Sequence, residues 1–133
     1  MKEGSEPARP FYRLLGVSVV EAANGRSTVR LASRADLENS RGDVHGGAIA
    51  SLLDAALATA CRSVLDGGGV ATSMISITYL DPGRGDLLGH GRVVRRGRTL
   101  MAATAEIHDG SGRLVAQAQG TMRVIMPGAS DRP

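Results

Sequence analysis

The stretch whose reading decides the fold is NSRGDVHGGAIASLLDAALATACRSV, from Asn39 to Val64. It opens as a polar loop carrying Asn39, Ser40, Gly42 and Asp43, then turns at His45-Gly46-Gly47 into a long apolar run. Ile49, Leu52, Leu53, Ala56, Leu57, Ala60, Cys61 and Val64 recur at steps of three and four, the spacing of one helix face. The opposite face holds Ala48, Ala50, Ser51, Ala55 and Ala58, and only Asp54 and Arg62 bring charge into the helix. A helix so apolar all round is buried, by its own sheet or by a partner chain. Asp54 stands out in such a place, because a lone buried carboxylate costs several kcal/mol unless it is paired, protonated or used.

His45 and Asp54 are nine residues apart. At about 100° and 1.5 Å per residue they leave opposite sides of one helix, roughly 13 Å apart along its axis. If both serve one site, they come from different subunits whose helices lie antiparallel about a two-fold axis. The spacing therefore predicts a homodimer, with His45 read as either the helix cap or its first turn.

On either side of this helix the chain reads as strands. Phe11 to Leu15 is a short amphipathic helix ended by Gly16. Val17–Ala23 and Arg26–Ser33 alternate around Asn24-Gly25, a strong hairpin signal. Residues 34–43 are loop, and Gly67-Gly68-Gly69 stop the long helix. Four further strand regions and a turn-rich linker follow: 70–80, then 81–86 as turn, 87–96 paired with 99–109 around Gly97-Arg98, and 114–125. About six strands with one helix inserted after the second, joined late by tight hairpins, make an α+β domain with an antiparallel sheet wrapped on one long central helix. Its limits are 11–126, with frayed ends at 1–10 and 127–133.

Composition narrows the function. The 133 residues hold a real core without staples, and 42% hydrophobic with 22% charged is ordinary for a soluble domain. Aromatics are Phe11, Tyr12 and Tyr79 alone, too few for the stacking platforms of a nucleic-acid module. A net charge of +3 suits an anionic ligand such as a CoA nucleotide, and equally an arginine-rich proteome. Cys61 is the single cysteine, read as a small core residue. No stretch reads as a membrane span or a signal-peptide core, so the expected location is the cytoplasm. His90 and His108 fall in separate strands without ligand spacing, and no metal is expected.

Asn39, His45-Gly46-Gly47 and Asp54, at these offsets, resemble the hotdog-fold acyl-CoA thioesterases, in the branch typified by the phenylacetate-degradation thioesterase. Ile77-Thr78-Tyr79-Leu80-Asp81-Pro82 is similar to that family's I-x-Y-L-x-P strand end, and Val94–Leu100 to its late hairpin. The likeness covers Phe11 to Ile125. It implies the hotdog fold and hydrolysis of a thioester to a free acid and CoA, with no cofactor beyond the CoA of the substrate. Asp54 would be general base or nucleophile, although a structural ion pair with an arginine is the plain alternative. Gly46 would donate its N–H to the oxyanion, with Gly47 beside it at the substrate, where both glycines equally permit close packing. His45 would orient the thioester or merely cap the helix. Asn39 would position the carbonyl or the water or merely make a turn, and Thr72 matches a family Ser/Thr that holds the water. Among Arg92, Arg95, Arg96 and Arg98, the pair Arg96 and Arg98 flanks the Gly97 turn and would hold CoA phosphates, unless the run is a solvated strand end. The expected partners are an acyl-CoA and a second copy, with pairing of dimers into a tetramer left open. The rival function is a hotdog module that binds acyl-CoA or an acyl carrier without hydrolysing it; a dehydratase or hydratase ranks lower, since its catalytic segment differs.

Overall fold

The computed structural model describes residues 9–128, so the expectation of frayed ends falls for the most part outside the described residues. Its elements follow the sequence pattern closely. They are α1 (Pro10–Leu15), β1 (Val17–Ala23), β2 (Arg26–Leu31), α2 (Gly46–Arg62), β3 (Gly69–Tyr79), β4 (Leu87–Arg96), β5 (Leu100–Asp109) and β6 (Leu114–Ile125). The one addition is a single 3-10 turn at Ala35–Leu37, inside the expected loop. Asn24 and Gly25 both take positive φ, 54° and 80°, as a two-residue hairpin turn requires.

All six strands form one antiparallel sheet in the order β1-β2-β4-β5-β6-β3. β3 leaves α2 and crosses to the far side of the sheet, where it pairs only with β6. One of its edges is therefore free over 11 residues. The sheet curls around α2, and the core is the contact between them: Val29, Leu31, Leu52, Leu53, Leu57, Cys61, Leu87, Met101, Ile107, Val115 and Met122 are fully buried. Burial also extends to Ala48, Ala55 and Ala58, so nearly the whole circumference of the helix is covered within one chain. Only Ala50, Ser51, Asp54 and Arg62 retain partial access to solvent beyond the first turn.

How closely α2 approaches the sheet is set by small residues. A Cβ built on Gly91 would lie 2.2 Å from the carbonyl oxygen of Ala56, and one on Gly89 3.4 Å from Leu52 Cγ and 3.5 Å from Ala56 Cβ. At the same level Ser27 donates its hydroxyl to the Ala56 carbonyl (2.8 Å) and accepts from the Gly91 N–H (3.1 Å). A buried hydroxyl thus reaches mid-helix backbone, which is possible only at that close spacing, and it leaves no polar atom of its own unsatisfied. No described helix is long and apolar enough to cross a membrane.

Two strands carry one extra residue each. Between Thr72 and Met74 the ladder with β6 shifts, leaving Ser73 unpaired, and between Val93 and Arg95 the ladder with β5 shifts, leaving Val94 out. Each bulge changes which parity of residues faces the helix. Before its bulge β3 turns even-numbered Thr72 inward, paired with buried Met122, and after it odd-numbered Ile75, Ile77 and Tyr79.

Gly91→Ala should destabilise the fold by roughly 1–3 kcal/mol or more, the cost of overpacking against backbone that cannot move aside. Urea unfolding would show this as a lower midpoint with an unchanged slope.

Candidate functional site

The entrance to α2 is built by a short, self-bonded loop. Asn39 Oδ1 accepts from the N–H groups of Arg41 (2.9 Å) and Asp43 (3.2 Å), while its own N–H donates to the Asp43 carbonyl (2.8 Å). The turn role expected of Asn39 is thus realised, and its side-chain amide nitrogen stays available. His45 N–H donates to the Leu37 carbonyl (2.7 Å) and Val44 N–H to the Gly83 carbonyl (2.8 Å), which fixes the direction in which the helix begins.

Asp43 is the strut of this loop. Its side chain is 7% exposed, and it accepts from Arg84 Nε at 2.6 Å and Arg41 Nε at 3.4 Å. The hydrogen bond from Arg84 holds its carboxyl below the usual carboxylate range, outweighing the opposing effect of burial, with the charges of Arg84 and Arg41 adding to the shift. The sequence reading passed over Asp43 as a loop residue. The one signal for it was an acid two residues before His45 with an arginine in the 81–86 turn, and nothing local links those two segments.

His45 is the N-cap of α2, and its Nδ1 accepts from the Gly47 N–H at 2.8 Å. With Nδ1 engaged as acceptor, the neutral ring carries its proton on Nε2. A Cβ on Gly47 would lie 3.1 Å from that Nδ1, so Gly47 is what lets the ring fold over the helix start. The Gly46 N–H has no protein acceptor among the described residues, as an orphan donor of the first turn. The Gly46 carbonyl accepts from the Tyr79 hydroxyl at 2.8 Å, a contact the sequence did not announce.

Eight residues further along α2, half-buried Asp54 accepts at Oδ1 from the Thr72 hydroxyl, 2.6 Å. Its other oxygen has no protein partner among the described residues, and no arginine pairs with it. The alternative reading of Asp54, a structural ion pair with an arginine, is therefore not met among the described residues. β3 runs antiparallel to the helix, so one strand braces both the helix start, through Tyr79, and Asp54, through Thr72. The bulge at Ser73 makes this possible, because without it residues 72 and 79 would point to opposite faces.

Arg92, Arg95, Arg96 and Arg98 do not gather at one place. The bulge at Val94 leaves Arg92 and Arg95 on the face away from the helix, paired with Thr104 and Ala102, and puts Arg96 opposite buried Met101. Arg96 donates to the carbonyl of Gly97, and Arg98 is exposed in the turn. His90 and His108 prove to be neighbours on that outer face, with ring centroids 5.8 Å apart. Beside the start of α2 lies a shallow cavity of about 270 Å3 lined by Phe11, Leu15, Leu37, Ala48, His45 and Gly47.

The arrangement offers a half-buried carboxylate with a hydroxyl on it and a free backbone N–H at a helix N-terminus, which together can activate water and stabilise an oxyanion. Comparison with known proteins agrees in kind. Residues 41–116 match the model of the thioesterase superfamily. The chain is 31% identical over 119 residues to human acyl-coenzyme A thioesterase 13, covering 86% of this chain and 84% of that protein. It is 26% identical to the PaaI protein of the phenylacetic acid degradation operon of E. coli, with a TM-score of 0.83 over 90% of this chain and 86% of that one. Against smu.793 of Streptococcus mutans, solved with acetyl CoA bound, identity is 30% and the TM-score 0.76, over 84% of this chain and 90% of that one.

Asp43→Asn should lower stability at neutral pH. Because the native carboxyl is held below its ordinary value near 3.8, the wild-type advantage is complete above that pH and vanishes as pH falls through the lower native value. Thermal unfolding of both proteins between pH 7 and pH 2 should show the two curves converging only at the acid end.

Proposed function

Since the chain belongs to the thioesterase superfamily and shares its hotdog fold with PaaI-like members, we propose that it is an acyl-CoA thioesterase whose site is shared between two subunits. The observation that carries this reading is the Thr72–Asp54 pair at 2.6 Å, a carboxylate held by one hydroxyl with its second oxygen left for water. Asp54 acts as general base on a water that Thr72 Oγ1 helps to hold. The hydroxide equivalent adds to the thioester carbonyl, and the oxyanion takes the Gly46 N–H. The C–S bond then breaks, the proton returns from Asp54 to the CoA sulfur, and the free acid leaves. His45 Nε2–H and the Asn39 amide orient the carbonyl and the water. Gly47 shapes the entrance, and the exposed Arg96 and Arg98 hold CoA phosphates. The apolar wall of Phe11, Leu15 and Leu37 receives the acyl group.

Distance supports the second subunit. Gly46 and Asp54 of one chain are separated by roughly 12 Å of helix rise, whereas reacting groups meet at about 3–3.5 Å. One carbonyl therefore takes its oxyanion donor from one copy and its base from the other. The free edge of β3, with Met74 48% and Tyr79 52% exposed, runs along this side of α2 and is the natural place for that copy to pair. The name of the human relative and the acetyl CoA in the streptococcal structure point to CoA esters as the substrates.

Thiol release from a panel of aromatic and aliphatic acyl-CoAs is the test. Cys61 adds no background to it, being fully buried with its thiol pushed up to about 11 by desolvation. Asp54→Ala should lose roughly 10²–10⁴ in turnover while keeping its elution as a dimer, and Thr72→Val should lose roughly tenfold. Full activity in Asp54→Ala overturns the assignment. No release from any ester, with CoA esters still raising the melting temperature, transfers it to the binding module.

A further inference from the structure

A groove of about 620 Å3 lies on the face of the sheet turned away from α2. Strand register explains its lining. Arg26, Arg92, Thr104, Gln119 and Ser76 stand directly opposite one another across β2, β4, β5, β6 and β3, and the next row brings His90, Glu106, Gln117 and Thr78. Nearly all of these side chains carry hydrogen-bonding groups, so the groove does not suit an acyl chain. Its volume falls within the range of about 300–1,000 Å3 typical of small-molecule sites.

Charge makes the groove unusual. Arg26 and Arg92 are direct cross-strand partners, an arrangement of like charges that destabilises a sheet. Neither has a carboxylate within ion-pair distance among the described residues. Arg95 stands on the same face beyond Arg92, and the one acid in the groove, Glu106, is in the other row with Glu106 Oε1 3.8 Å from His108 Nε2. These arginines bury no core and cap no element, so the fold gains nothing from holding them together.

We propose that this groove is a second ligand site, distinct from Asp54 and Gly46, that takes the phosphate groups of a nucleotide between Arg26 and Arg92. Guanidinium forks match phosphate oxygens in pairs and lose their mutual repulsion when a dianion sits between them. The hydroxyls and amides of Thr104, Ser76, Gln117 and Gln119 then face the sugar and base, which need many weak donors and acceptors. The nucleotide is either the adenosine end of a CoA molecule or a free nucleotide; the chemistry of recognition is the same.

Isothermal titration of the intact protein with ADP and with CoA tests this without depending on hydrolysis. Wild type and Asp54→Ala should bind with salt-sensitive affinity, and the Arg26→Gln/Arg92→Gln variant, checked for native circular dichroism, should bind roughly tenfold or more weakly. A higher KM for an acyl-CoA but not for the matching acyl-pantetheine would assign the groove to the substrate's own nucleotide, in place of Arg96 and Arg98. Lost ADP binding with both KM values unchanged would assign it to a free nucleotide. No binding of either probe by wild type, or equal binding by the double variant, overturns the proposal. So does a double variant whose only change is in sedimentation, which would make the face a contact between copies.

Discussion

The structure depends on how near α2 lies to its sheet. Side chains normally keep a helix backbone off its sheet, yet here the backbone of β4 at Gly91 comes against the carbonyl of Ala56, and Ser27 bonds to that same carbonyl. Gly89 and Gly120 continue the thin seam, with a Cβ on Gly120 falling 3.1 Å from Leu57 Cδ1 of the helix. Alanines on the helix complete it. Because the helix is sunk this deep, the sheet can wrap it from β2 to β3, and a 17-residue helix is covered almost all round by one chain.

Sinking the helix also determines what remains accessible. Its N-terminus emerges beside the loop that Asp43 braces, and Asp54 is the acidic side chain on the narrow strip left uncovered. A half-buried carboxylate with one hydroxyl partner and no cation is costly as structure and useful as chemistry. The strip is bordered by β3, which reaches both parts of the site from one strand. Position, rather than any unusual residue, turns an ordinary aspartate into the candidate base.

Much of this was legible in the sequence. The three- and four-residue recurrence from Ile49 to Cys61, the alternation around Asn24-Gly25 and the glycines after Arg62 gave element limits that differ from the structure by a few residues at most. These are local signals with local causes. Asn39, Gly46 and Asp54 stand out in the sequence because their spacing is itself a pattern. Strand order was not legible, because the crossing of β3 to the far edge is a long-range choice that no local run records. Nor were the bulges at Ser73 and Val94, each of which inverts the facing of everything after it. The bulge at Val94 thereby decides which arginines share a face, Arg92 with Arg95 instead of with Arg96. Asp43 was missed for the related reason that its partner, Arg84, is 41 residues away.

The bulge at Ser73 has one more consequence, for what can attach itself to the protein. An open strand edge ordinarily accepts any extended peptide, since backbone groups repeat without regard to sequence. The ladder of β3 is interrupted between Thr72 and Met74, so a regular strand can lie in step with one half of the edge and falls out of step with the other. Only a strand broken at a matching point can follow its whole length. The edge thus behaves as a keyed joint, open in principle to every chain yet fully matched by few.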